Sequence, residues 1–138
     1  MLDVKGREMR VSKTKDKEGI MFKFGDKVLL RADSMELHTS KTCIQIDNVN
    51  VLALLKQGDE VRFGEDACVF GEVESSDSSQ VTLMMKGGGT IKSNDVVKVP
   101  GLHYQCMPIL RAGDHDHIAD IAIKHNFDYI IVPYVQTA

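Results

Sequence analysis

The sequence predicts a mainly β chain, in which a small antiparallel β-barrel is joined to an α/β segment. Residues 18–100 contain six to eight short runs of β-type residues separated by turn residues, a pattern typical of a small closed or nearly closed barrel. After Pro100-Gly101 the pattern changes. Residues 118–125 carry apolar side chains at helical spacing, and residues 128–135 form a nearly continuous apolar run.

Size and composition exclude several classes of protein. The 138 residues suffice for one domain, or for one domain and a fragment. A net charge of -3 argues against a nucleic-acid-binding protein. No apolar run approaches the roughly 20 residues that span a bilayer, and no signal peptide follows Met1, so we expect no membrane segment. Three cysteines without a close pair predict a reducing, cytoplasmic location.

The barrel elements follow from turn signals. Residues 25–31 and 58–64 both begin with Gly-Asp, followed by a charged residue and Val, which predicts two similar entries from a turn into a strand. Residues 67–76 and 80–89 flank a polar turn and predict a hairpin with a longer loop. Residues 89–101 predict two further short strands.

The last part of the chain predicts a helix that leads into a buried strand. Asp114 or Asp116 can cap the start of the helix, and Asn126 is suited to end it. The run at residues 128–135 is typical of a strand that is buried on both faces of a parallel sheet. An antiparallel barrel needs no such unit, so we assign residues 1–10 to this second architecture.

Two motifs suggest ligands but are better explained by local structure. The sequence Gly-Asp-His-Asp-His at residues 113–117 contains metal-ligand side chains, yet successive residues of a helix point in different directions. An acidic helix start explains the motif better. The glycine-rich residues 86–93 lack the spacing of a phosphate-binding loop and continue as a strand.

The first residues, Leu-Asp-Val-Lys-Gly-Arg-Glu-Met-Arg at 2–10, are the strongest candidate site. Arg10 is a planar donor that can bind phosphate or carboxylate through two hydrogen bonds. Asp3 could hold a cation. The alternative is that Arg10 forms a surface ion pair with Glu8 or Asp3.

Five segments, in order and at matching spacing, resemble the pyruvate kinase family. They are residues 2–10, 22–33, 42–64, 88–101 and 107–138. The resemblance implies that residues 13–100 are the mobile lid domain, inserted into a (β/α)8 barrel. Residues 1–12 would be a strand of that barrel, and residues 101–138 its next helix and strand. The implied activity is phosphoryl transfer from phosphoenolpyruvate to ADP, giving pyruvate and ATP in glycolysis, with Mg²⁺ and K⁺ as cofactors.

The resemblance also implies roles for individual residues near the N-terminus. Arg10 corresponds to the catalytic arginine that binds phosphate, and such transfer depends mainly on positioning and positive charge. Lys5 and Glu8 keep the pattern around it, which implies contact with substrate. Asp3 corresponds to a potassium ligand, and Val4 to a residue that binds potassium through its backbone carbonyl.

Several positions depart from the family pattern. Asn94 and Asp95 stand where lysines reach the nucleotide, and a change from Lys to Asp beside a triphosphate costs on the order of a kcal/mol or more. Residues 64–66 supply the usual Gly and two acids in a shifted pattern. Tyr134 stands near the substrate in place of Phe, and Gln136 stands for Arg.

The resemblance places the Mg²⁺ ligands after the last residue of this chain, so we expect no catalysis by the isolated polypeptide. The alternative function is a non-catalytic binding or interaction module derived from the lid. An uncovered apolar strand at residues 128–135 would favour self-association, or docking on intact subunits of the family.

Overall fold

In the computed structural model, residues 1–77, 79–102, 107–133 and 135 are described. The chain forms two compact units. The larger unit is Met9–Leu102, and the smaller combines Met1–Glu8 with His103–Ala138. Within the described residues, no helix is long and apolar enough to cross a membrane.

Among the described residues, the larger unit contains nine strands and one short helix. With β1 (Leu2–Asp3) in the smaller unit, the elements here are β2 Met9–Arg10, β3 Ile20–Phe22, β4 Lys27–Arg31, β5 Cys43–Gln45, α1 Val49–Leu52, β6 Glu60–Phe63, β7 Val69–Ser76, β8 Gln80–Gly87, β9 Gly89–Ile91 and β10 Val96–Lys98. A seven-stranded sheet has the order β2-β10-β6-β7-β8-β4-β5, and a separate two-stranded sheet pairs β3 with β9. The predicted hairpin is the pair β7–β8.

The two edge strands of the seven-stranded sheet meet. Val11 bridges Ile46 in antiparallel register. The Ser12 N–H donates to the Gln45 carbonyl at 2.8 Å, and the Asp47 N–H donates to the Arg10 carbonyl at 3.1 Å. These bonds satisfy backbone groups that an open sheet edge would expose. The predicted antiparallel β-barrel is confirmed, with one difference: β4 and β5 run parallel.

Side-chain alternation along the central strands forms the barrel core. In β8, Val81, Leu83 and Met85 are fully buried, whereas Thr82 and Met84 are half-buried. Successive residues of a strand face opposite sides of the sheet, so one face of β8 supplies the core. β8 pairs with both β4 and β7, which places these side chains in the middle of the sheet.

A four-residue turn occurs three times in the larger unit, immediately before β4, β6 and β10. It spans residues 23–26, 56–59 and 92–95 and has the pattern Lys-x-Gly/Asn-Asp. In each copy an Asp Oδ2 accepts the Lys backbone N–H at 2.8 Å, and the Asp N–H donates back to the Lys carbonyl at 3.0–3.2 Å. The third residue is left-handed in each copy, which Gly and Asn tolerate better than other residues.

In the first of these turns, the carboxylate is also bound by a lysine side chain. Lys41 donates to Asp26 Oδ2. This bond, reinforced by the Lys23 backbone N–H, lowers the pKa of Asp26 below its ordinary value of 3.8.

The smaller unit contains β1 (Leu2–Asp3), α2 (Ala112–His117), a π-helical continuation (Ile118–Ile123) and β11 (Ile130–Ile131). The helix lies over the predicted region, and the left-handed Asn126, with φ of 50°, follows its end as predicted. β1 and β11 pair in parallel, with Leu2 opposite Ile130. Asp114, the third residue of α2, caps the start of the helix, because its carboxylate accepts the backbone N–H of Arg111, the residue before the helix.

The prediction of a strand over residues 128–135 that is buried on both faces is wrong for the described residues. The strand is two residues long, and Ile130 and Ile131 are 41% and 42% exposed. An apolar strand becomes buried only when neighbouring elements cover both faces. Among the described residues, β11 pairs with β1 alone.

Candidate functional site

Arg10 lies at the end of β2 and faces the third copy of the turn. Its Nη1 donates to the Asn94 carbonyl at 3.0 Å. Its backbone N–H donates to Asp47 Oδ1 at 2.8 Å, and Arg10 lies opposite Val96 of β10 in the sheet. Arg10 is therefore anchored twice, through its backbone N–H and through one guanidinium nitrogen.

The turn at residues 92–95 is bound to the same segment of chain. The Asn94 N–H donates to the Val11 carbonyl at 3.1 Å, and the Val11 N–H donates to the Asp95 carbonyl at 2.9 Å. Three residues predicted to belong to the site, Arg10, Asn94 and Asp95, are thus brought together by backbone pairing. Their contact does not depend on flexible side chains alone.

Asp95 also lines an open cleft of about 500 Å³ on the barrel. The cleft is formed by the end of β6 and the loop after it, the start of β7, the segment from Gly88 to Thr90, and the turn before β10. Its charged lining residues are Glu65, Asp66, Lys92 and Asp95. Three carboxylates and one ammonium make the lining acidic.

The positions of these charges follow from local hydrogen bonds. The Asp95 carboxylate accepts the Lys92 backbone N–H at 2.8 Å, as in the other two copies of the turn. Glu65 approaches Lys98 with 4.0 Å between Oε2 and Nζ. This ion pair is exposed and contributes little to stability, so Glu65 is weakly held at the mouth of the cleft.

Four other predicted site residues lie in the smaller unit. Asp3 belongs to β1, and the buried Val4 donates its N–H to the Ile131 carbonyl at 3.0 Å. Lys5 and Glu8 begin and end a turn in which the Glu8 N–H donates to the Lys5 carbonyl at 3.3 Å. Tyr134, which is also predicted to belong to the site, lies outside the described residues.

The end of β1 carries oxygen atoms of the type that hard cations bind. Asp3 supplies an exposed carboxylate, and a backbone carbonyl such as that of Val4 is the kind of ligand that hard cations prefer. Among the residues that the structure describes, no three His, Cys, Asp or Glu side chains converge as a metal-ligand group. The motif at residues 113–117 accordingly contributes a helix start, with Asp114 directed to backbone N–H groups.

Two residues that position the site were not singled out for this role from the sequence. Asp47 fixes the backbone of Arg10 from 37 residues away, and Asp114 binds the turn after β1 from more than 100 residues away. No local pattern marks Asp47, because its partner is defined only by barrel closure. By contrast, Asp95, which was predicted, belongs to a visible local pattern, because Lys-x-Gly/Asn-Asp occurs three times in the sequence.

Comparison with known proteins identifies the family. The family model for the pyruvate kinase barrel domain matches residues 1–138. A crystal structure of Cryptosporidium parvum pyruvate kinase is similar over 99% of this chain, with 24% sequence identity and a TM-score of 0.90. A structure of the Cryptosporidium parvum enzyme in complex with ADP is similar over 99% of the chain, with 25% identity and a TM-score of 0.84.

The match covers only part of these relatives. This chain spans 28% and 26% of the length of the two structures. No curated protein matches the sequence. Because the family model covers every residue, the chain belongs to the pyruvate kinase family.

Proposed function

We propose that this chain supplies the lid and adjoining strand ends of a pyruvate kinase-type site, which transfers a phosphoryl group from phosphoenolpyruvate to ADP in glycolysis. The observation that carries the proposal is the corner formed by Arg10 and the turn at residues 92–95. An arginine that is anchored through its backbone N–H and through Nη1 needs less ordering to bind a phosphate.

In this proposal Arg10 binds the phosphoryl group and disperses its negative charge. Lys5 and Glu8 contact substrate from the turn after β1. Asp3 and the Val4 carbonyl contribute oxygen ligands to K⁺, which would strengthen the positive field at the strand end. Mg²⁺ would neutralise phosphate charge.

The acidic lining of the cleft should weaken the binding of a nucleotide. A nucleotide phosphate that approaches Asp95 meets a carboxylate in place of an ammonium, and Glu65 and Asp66 have the same sign. We therefore propose that this lid binds ADP weakly, and that the isolated chain does not turn over. The relative bound to ADP supports nucleotide binding at the level of the family.

The test is a coupled assay of the 138-residue chain with phosphoenolpyruvate, ADP, Mg²⁺ and K⁺, run beside an NMR titration with ADP. We expect turnover equal to that of heat-denatured protein, and weak shifts at the amides of Gly64, Asn94 and Asp95. Turnover above the control contradicts the proposed inactivity. Shifts confined to other surfaces contradict the proposed site.

A second candidate function, a non-catalytic interaction module, is favoured by the exposure of Tyr129, Ile130 and Ile131. An exposed apolar strand with free pairing capacity promotes association. Gel filtration at increasing concentration tests this candidate. A concentration-dependent shift to a larger species, abolished by Ile131→Lys, supports it, whereas a monomer at all concentrations contradicts it.

A further inference from the structure

The Asp114 carboxylate binds three backbone N–H groups from two distant segments of the smaller unit. Its Oδ1 accepts the N–H of Lys5 at 3.0 Å. Its Oδ2 accepts the N–H of Gly6 at 3.0 Å and that of Arg111 at 2.9 Å. The side chain is buried, with 3% of its surface exposed. A buried carboxylate is stable when it is satisfied in this way.

The turn at residues 5–8 is restrained by its own backbone and by a second side chain. Gly6 has a left-handed backbone with φ of 56°, and a Cβ at this position would lie 3.1 Å from Pro133 and 3.3 Å from the Ile109 carbonyl. Side chains other than hydrogen are therefore disfavoured by both conformation and space. Arg111 adds a second restraint, because its Nη2 donates to the Glu8 carbonyl.

We propose that Asp114 is a positioning residue for the turn that carries Lys5 and Glu8. The carboxylate links the first residue of the turn, Lys5, to the start of α2 and so fixes where the Lys5 and Glu8 side chains begin. The claim that this turn faces substrate rests on the proposed function. The claim that Asp114 orders the turn stands on the three hydrogen bonds alone.

Amide hydrogen exchange, measured by NMR on the full 138-residue chain, tests the positioning. Asp114→Asn keeps the shape of the side chain but leaves one acceptor oxygen for N–H donors that approach both oxygens. We expect exchange at Lys5 and Gly6 to be about tenfold faster in Asp114→Asn and Asp114→Ala. Asp116→Asn, in the exposed face of the same helix, is the matched control and should leave both rates unchanged.

Rescue by a small carboxylate separates loss of this contact from general unfolding. Formate added to Asp114→Ala can occupy the vacated volume and accept the same N–H groups. We expect it to restore slow exchange at Lys5 and Gly6, while acetamide, which is neutral, does not. Wild-type rates in Asp114→Asn overturn the proposal, and so does a failure of formate to slow exchange in Asp114→Ala.

A titration with phosphoenolpyruvate distinguishes this proposal from the proposed function. If the turn faces substrate, phosphoenolpyruvate shifts the Lys5 and Glu8 amides in the wild type and shifts them several-fold less in Asp114→Asn. If the wild type does not respond at these residues, the proposed function fails in this unit. The exchange experiment still decides whether Asp114 orders the turn.

Discussion

Reversing the charge of Asp95 should strengthen ADP binding, because the carboxylate lines an acidic cleft beside the turn that Arg10 contacts. Asp95→Lys changes the charge at this position by two units. For a phosphate at roughly 6 Å in water, each unit is worth about 0.7 kcal/mol, so the change is worth about 1.4 kcal/mol. That energy corresponds to about a tenfold decrease in Kd at low salt, and to less at physiological salt.

The same substitution removes a hydrogen bond of the turn. Asp95 Oδ2 accepts the Lys92 N–H at 2.8 Å, and the loss of this bond should cost about 1 kcal/mol of unfolding free energy. Asp59 makes the equivalent bond to the Lys56 N–H at 2.8 Å and is not part of the cleft. Asp59→Lys therefore has the same change in net charge and the same local cost, without placing the new charge in the cleft.

The assay is isothermal titration with ADP at about 20 mM and 150 mM salt, a range over which screening changes strongly. We expect Asp95→Lys to bind about tenfold more tightly than wild type at the lower salt, Asp95→Asn about threefold, and Asp59→Lys the same as wild type. Equal effects of Asp95→Lys and Asp59→Lys would refute the reasoning, because the gain would then come from net charge alone.

Three further results should follow from the barrel. Leu83→Ala, at a fully buried position, should lower the unfolding free energy by about 2–5 kcal/mol in urea denaturation, and a loss below 1 kcal/mol would contradict its place in the core. The pKa of Asp26 is lowered, so wild type should be more stable than Asp26→Asn above about pH 4. In thermal melts the difference should shrink as the pH falls below 3.8 and be lost once the pH is below the lowered pKa of the folded protein; a constant difference would argue against the lysine contact. In Cys106→Ser, iodoacetamide should modify the exposed Cys68 before the half-buried Cys43, because burial raises the pKa of the Cys43 thiol. Mass spectrometry measures the order of modification, and the reverse order would contradict this.

Much of the barrel could be predicted from the sequence because its signals are local. Alternation along β8 and the Gly-Asp turns before β4 and β6 depend on neighbouring residues only. The parallel pairing of β4 with β5 could not be predicted, since it depends on how the sheet curls to bring Val11 opposite Ile46. The exposure of Ile130 could not be predicted either, because an apolar run carries no information about which other elements pack against it.

The candidate site was proposed from two kinds of signal. Arg10 was singled out by its chemistry and then by the resemblance, and Asn94 and Asp95 by the resemblance alone; the structure places the three together, and their roles remain predictions. The sequence gives no pattern for Asp47, which binds the Arg10 backbone, or for the role of Asp114 in binding the separate turn at residues 5–8. Asp47 and Asp114 act through backbone N–H groups that are remote in sequence, and a lone Asp in a loop or at a helix start carries no sign of its partner.

The binding of phosphoenolpyruvate to the corner formed by Arg10 and the turn at residues 92–95 is the most direct test of the account. The measurement is an NMR titration of the wild type and of Arg10→Gln, followed at the Arg10 side chain and at the Asn94 and Asp95 amides. We predict saturable shifts at these groups in the wild type, and affinity weaker by about tenfold or more in Arg10→Gln, since a charge-assisted hydrogen bond is lost. Unchanged affinity in Arg10→Gln, or no shift at these groups in the wild type, would contradict the account.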